Sequence, residues 1–228
     1  MKLPGSRDDD ASGRSPLRLG RAVWLYQGLN GRAEQRESVV RSHVAGLLAC
    51  RPDDLEVRRD PFGKPHLVRP TARLKFSVSH RAGLVLVATA GDKASGADVE
   101  LLSAAADGSL FDVAGDFFAP DETARLAALP AETRGRAFLE AWTAKEAVLK
   151  AVGVGIAGGL KEPNLNDWLS SGRSLCGRRA VVPAAGKAYR VAWFAADTSD
   201  GPAIATCATG IPMSQKEGFL NPPLRSIT

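Results

Sequence analysis

Two acids separated by a single residue, Asp98 and Glu100, sit in the run Gly96-Ala97-Asp98-Val99-Glu100-Leu101. In an extended strand residues i and i+2 share a face, so both carboxylates point the same way and repel unless a cation or solvent answers them. A third acid, Glu146, lies in Trp142-Thr143-Ala144-Lys145-Glu146-Ala147-Val148-Leu149-Lys150, whose apolar spacing predicts a helix. Around that helix Phe138, Trp142 and Leu149 define the buried stripe; Glu146 falls at its edge, and Lys145 on its other side near Phe138. An acid on a core-facing side is costly unless it is paired or binds a metal. Lys150, one turn on, offers an ordinary i, i+4 partner worth about 0.2–0.5 kcal/mol. Three carboxylates together instead suit an oxygen-coordinated Mg²⁺, with Mn²⁺ also acceptable, that shares its shell with substrate phosphates. The residues alone leave both readings open.

Candidate phosphate ligands lie upstream. Lys64 sits in the tight Gly63-Lys64-Pro65 turn, and Ser79-His80 places a hydroxyl beside an imidazole just before a strand. Of 228 residues, the first hundred carry 17 Lys/Arg against 12 Asp/Glu, whereas residues 101–228 balance at 13 each. All the excess positive charge is therefore in the first half, which suits phosphates, nucleic acid or an acidic protein. Nucleic acid is disfavoured: between Arg36 and Arg81 the only aromatics are Phe62 and Phe76, so no stacking ladder exists. Three histidines and three scattered cysteines suggest neither a zinc site nor a disulfide framework. There is no Gly-rich phosphate loop, no dinucleotide fingerprint and no nucleophile elbow.

The elements that must position these groups follow from periodicity and turn chemistry. Residues 1–18 are polar and read as a loose tail, with Asp8-Asp9-Asp10 arguing against a signal peptide. Arg21 to Tyr26 predicts a first strand, and Val39, Val40, Val44, Leu47 and Leu48 a helix from which Arg41 projects on the other side. Leu55 to Arg58 predicts a short strand, and Asp60 to Pro65 a turn. The runs beginning at Phe76 and Leu84 and the run Ala97 to Leu101 predict further strands, with Gly91 to Gly96 as a turn. Helices are expected from Pro120 to Leu129 and from about Thr133 to Val152, stopping at Gly153. Strands are expected at Arg179–Val182, Tyr189–Phe194 and Ala203–Ala208. This predicts α+β architecture: an N-terminal lobe over 19–104, a C-terminal lobe over 105–211 and a loose tail over 212–228. The longest apolar run, Leu84 to Ala88, is far short of the roughly 20 residues needed to span a bilayer, so a soluble, cytoplasmic protein is expected.

In order and spacing these pieces resemble the 4′-phosphopantetheinyl transferases, specifically the larger surfactin-synthetase-activating type. The matching stretches are Gly63-Lys64-Pro65, Phe76-Ser77-Val78-Ser79-His80, Gly96-Ala97-Asp98-Val99-Glu100, Phe117-Phe118-Ala119-Pro120-Asp121-Glu122 and Trp142 to Lys150. The resemblance implies a pseudo-twofold monomer of two similar α+β lobes, with coenzyme A and Mg²⁺ in the cleft between them. It implies transfer of the phosphopantetheine arm to a serine of an acidic apo carrier protein. Asp98, Glu100 and Glu146 would hold the metal, with Glu146, or a water it positions, as the base and Lys150 stabilising the departing phosphate. Lys64, Ser79 and His80 would contact the nucleotide end, Arg41 and Arg59 the 3′-phosphate, and Lys145 and Lys150 the pyrophosphate. Arg81 departs from the family, which has a small polar residue there; it either adds a phosphate contact or crowds the cleft. Ala97, Leu101 and Asp116 are further departures beside an intact ligand set. A metal-dependent hydrolase of coenzyme A or a related nucleotide would use the same residues with water as nucleophile.

Overall fold

A computed structural model of the chain describes residues 15–106, 110–155, 159–169, 172–211 and 225–226. Its N-terminal half runs β1 (Leu17–Gly20), β2 (Val23–Tyr26), α1 (Ala33–Leu48), β3 (Glu56–Arg59), β4 (Pro65–Arg69), β5 (Phe76–Arg81), β6 (Leu84–Thr89) and β7 (Ser95–Leu101). There follow α2 (Leu110–Phe117), α3 (Pro120–Ala127), α4 (Ala131–Val152), α5 (Asn166–Leu169), β8 (Arg178–Ala184), β9 (Lys187–Thr198), β10 (Gly201–Gly210) and β11 (Arg225–Ser226). The architecture is α+β, with every strand pair antiparallel.

Strand alternation sorts the apolar residues into layers. The first sheet has the order β1-β2-β6-β5 and the second β11-β8-β9-β10-β7, while β3 and β4 pair as a separate hairpin. On one face of the first sheet Trp24, Tyr26, Val85 and Val87 pack against Val39 of α1. On its other face Val23, Leu25, Leu84, Leu86 and Ala88 meet Ala97, Val99, Ala203 and Ala205 of the second sheet. The far side of that second sheet, through Val182, Val191, Trp193, Ile204 and Ala208, receives α4. Burying each Val, Leu or Ile of this kind contributes about 1.5–3 kcal/mol, so the layer order follows from which residues alternate. β5 and β7 are edge strands of their respective sheets, and the site forms where those two edges meet.

Several expectations are corrected. β7, within the expected N-terminal lobe, pairs along its length with β10, Asp98 opposite Thr206 and Glu100 opposite Ile204. Its apolar face packs on the first sheet while its backbone completes the second, so a boundary near 104 cuts through the second sheet. The expected tail over 1–18 gives way to β1 from Leu17, and β11 pairs with β8 inside the expected tail over 212–228; residues 1–14, 212–224, 227 and 228 of these tails lie outside the described residues. The helix α4 is not striped. From Phe138 to Ala151 nearly every residue is buried, Glu140, Lys145 and Glu146 included, and Trp142 and Lys150 stay partly open. Alanines at 141, 144, 147 and 151 make this possible, because their small side chains let neighbours close in on all sides. Gly153, at φ 91°, ends the helix in the left-handed conformation that glycine adopts without penalty.

Candidate active site

β7 presents Gly96, Asp98 and Glu100 toward α4, because its alternate residues Ala97 and Val99 are committed to the core between the sheets. Gly96 is the point of closest approach. A methyl group there would stand 1.8 Å from the Ala147 carbonyl oxygen of α4, so only glycine lets the strand lie against the helix. This contact brings the strand acids and the helix acid together. Lys150 Nζ donates to Asp98 Oδ1 at 2.7 Å and to Ser79 Oγ at 3.2 Å, and Ser79 Oγ donates to the same Asp98 oxygen at 2.8 Å. Lys150 also stands 4.0 Å from Glu146 Oε2. At the outer end, Arg81 Nε lies 3.1 Å from Glu100 Oε2. Asp98 and Glu100 thus share one face of β7, and Glu146 lines the same cavity.

These groups line one cavity of about 780 Å³ together with His80, Arg36, Arg59, Glu37 and Trp142. Trp142 reaches it from an aromatic cluster in which Phe138, Phe118 and Phe117 lie 5.8, 6.4 and 6.3 Å from it between ring centroids. Arg59 joins from the β3 end, held by Gly63 O at 2.9 Å and Glu37 Oε2 at 3.2 Å. Arg36 was not singled out from the sequence; its place on the same helix as Arg41, five residues earlier, was the available signal. Ser79 is buried and turned to Asp98 and Lys150 rather than being free in the cavity.

Three expected phosphate ligands, Arg41, Lys64 and Lys145, do not line this cavity. Arg41 Nη2 donates to Pro52 O and Leu55 O, both at 2.7 Å, bracing the turn that follows α1. Lys64 Nζ donates to Lys150 O and Ala151 O, answering carbonyls that the end of α4 leaves unpaired. Lys145 is fully buried, its ammonium bonded to Glu122 Oε2 and Leu160 O at 2.8 Å each and to Pro163 O. Glu122 itself also accepts from Leu165 N and Ala119 N. One residue of helix is about 100° of rotation, so Glu146 facing the cavity sends Lys145 into the core beside Phe118. Sequence spacing correctly separated the two side chains but not where the second one went.

The site is electrostatically unbalanced. Burial raises the Glu146 carboxyl above the ordinary range, and the charges of Asp98 and Glu100 add to this while Lys150 opposes it. Glu100 is raised by burial and then by Asp98, with Arg81 and Lys150 pulling the other way. His80 is lowered by burial and then by the nearby Arg36, Lys150 and Arg59, which favours its neutral ring. Asp98 Oδ2 is buried with no hydrogen-bond partner. An orphaned carboxylate oxygen among partly desolvated acids fits a hard divalent cation, which takes oxygen ligands and relieves that repulsion. As they stand, no three acidic, histidine or cysteine side chains among the described residues converge as a ready ligand set, since Asp98 and Glu100 each lean toward a cation of the protein.

The comparisons with known proteins bear on the same segment. Residues 94–207, half of the chain, match the family model described as the 4′-phosphopantetheinyl transferase superfamily. The chain belongs to this superfamily. It is 37% identical over 121 residues to the 4′-phosphopantetheinyl transferase HetI of Nostoc sp., covering 52% of this chain and 50% of HetI. It is 36% identical over 124 residues to the Synechocystis sp. protein slr0495, whose name assigns the same activity provisionally, covering 54% and 50%. A phosphopantetheinyl transferase of Thraustochytrium sp. is 31% identical over 134 residues, covering 54% and 46%. The chain thus spans about half the length of the curated relatives it matches. Within the superfamily-matching segment lie β7 and α4, the two elements that carry Asp98, Glu100, Glu146 and Lys150. Ser79, His80, Arg81 and Arg59 precede that segment. Among the described residues no helix is long and apolar enough to cross a membrane.

Proposed function

We propose that the protein transfers 4′-phosphopantetheine from coenzyme A to a serine hydroxyl of an apo carrier protein (acyl, peptidyl or polyketide), releasing adenosine 3′,5′-bisphosphate. The reading further takes it as a monomer of the surfactin-synthetase-activating type, with two α+β lobes related by a pseudo-twofold. The single observation that carries it is the meeting of Asp98, Glu100, Glu146 and Lys150 in one cavity, inside the segment that matches the superfamily. Asp98, Glu100 and Glu146 would hold Mg²⁺ or Mn²⁺. When bound, such an ion supplies charge neutralisation at the pyrophosphate oxygens.

The remaining chemistry belongs to the chain's own side chains. His80, Arg36 and Arg59 line the same cavity and suit the phosphates of the nucleotide end. Glu146 has a carboxylate made more basic by burial, which suits it to take the proton from the serine hydroxyl as the oxygen attacks phosphorus. Lys150 carries three donors, two directed to Asp98 and Ser79, and would hold the charge that develops on the departing phosphate. Carriers of this kind are expected to be acidic, matching the basic first half of the chain.

The test is intact-mass analysis of apo carrier proteins incubated with the protein, coenzyme A and Mg²⁺. A gain of one phosphopantetheine, absent with EDTA and with Glu146→Ala, is the expected result. Release of phosphopantetheine without a carrier would indicate a hydrolase, and failure to bind coenzyme A would overturn the reading.

A further inference from the structure

We infer that Arg81 competes with the divalent cation for Glu100 and thereby sets how tightly this site takes a metal. The inference rests on the metal-dependent reading proposed above and deepens it. It starts from a division of labour among the basic groups. Lys150 serves Asp98 at 2.7 Å and approaches Glu146 at 4.0 Å, whereas the carboxylate of Glu100 is held by Arg81 at 3.1 Å. β5 ends at Arg81 and β7 carries Glu100, so the pair bridges the two edge strands at the rim of the cavity.

The two partners differ in their access to water. The Glu100 side chain is 17% exposed and the Arg81 side chain 51%. The acid is therefore largely committed to the site, while its partner is free to swing into solvent. A hard cation needs carboxylate lone pairs facing it, and an oxygen already ion-paired with a guanidinium 3.1 Å away offers it less charge. The absence of a converged ligand trio among the described residues agrees with this, because Glu100 leans to Arg81. A small polar side chain at 81 would leave Glu100 uncommitted. Arginine there gives the site an internal cation that must yield before the carboxylate can be used. Release is inexpensive, since the guanidinium is half exposed and regains water as it leaves the carboxylate. The effect on metal affinity is accordingly modest, about two- to fivefold.

The experiment is Mn²⁺ binding, followed by electron paramagnetic resonance of the free ion. It uses the full chain as wild type, Arg81→Ala, Glu100→Gln and the double variant, without coenzyme A or carrier. Tightening of about two- to fivefold in Arg81→Ala, with no difference between Glu100→Gln and the double variant, is the expected pattern. Unchanged or weaker binding by a folded Arg81→Ala protein would overturn the inference. So would an equal tightening in the Glu100→Gln background, since Arg81 would then act only as one more charge of a basic surface. Binding by wild type separates these outcomes from failure of the metal reading itself, which would show as no Mn²⁺ binding in any of the four proteins.

Discussion

Glu146 holds its proton more tightly in the folded protein than an unfolded chain would, because burial and the charges of Asp98 and Glu100 disfavour its ionised form. The folded state therefore binds more protons than the unfolded state between the ordinary carboxylate value of 4.5 and the raised one. Stability without metal must fall as pH rises through that window and stay reduced above it. Glu146→Gln removes the penalty. Thermal melts in EDTA at pH 8 should show the variant more stable than wild type, by about 2–4 °C for each kcal/mol relieved. The difference should vanish below pH 4. The same variant should lose about 10²–10⁴ in transfer rate. Gain of stability with loss of rate marks a group held in place for chemistry rather than for folding.

The contact between β7 and α4 is where elements decide the outcome. Gly96→Ala would drive a methyl group to 1.8 Å from the Ala147 carbonyl oxygen, and the atoms it meets are helix backbone that cannot rotate aside. Denaturant unfolding should show a loss of about 1–3 kcal/mol or more. Activity of the folded fraction should drop as well, because pushing the strand off the helix separates Asp98 from Lys150 and Glu146. Lys145 makes the opposite case. Lys145→Met leaves Glu122 buried without its cation and should cost about 3–5 kcal/mol in urea unfolding. Coenzyme A affinity measured below the melting point should be unaltered, since Lys145 Nζ is buried and engaged by Glu122 and the carbonyls of Leu160 and Pro163. A selective loss of that affinity would return Lys145 to the ligand set.

Across the whole molecule the charge is segregated: the first hundred residues carry all of the net +5 and the rest is neutral. A field of this kind acts on encounter more than on the final complex. Stopped-flow association with an acidic carrier should slow by about tenfold between low salt and 0.3 M, where screening shortens to less than 10 Å. Dissociation should change much less. A salt-insensitive association rate would separate the charge asymmetry from carrier binding.

The candidate site groups are legible in the sequence alone. Acids at i and i+2 of a strand share a face whatever the strand packs on, and Glu146 and Lys150 one turn apart share a side of any helix. The long helix, its stop at Gly153 and most strands followed from periodicity for the same reason, since local backbone geometry repeats. The fate of the long basic side chains did not follow. Lys64, Lys145 and Arg41 each carry a flexible cation to carbonyls or a carboxylate donated by segments distant in sequence, such as Lys150 and Ala151 for Lys64. No local pattern encodes which distant acceptors will be left unpaired. The same holds for β7, whose backbone completes one sheet while its side chains pack on the other. That double role brings Asp98 to Lys150 and Glu100 to Arg81, and it exists only once two sheet edges and a helix have closed on one another.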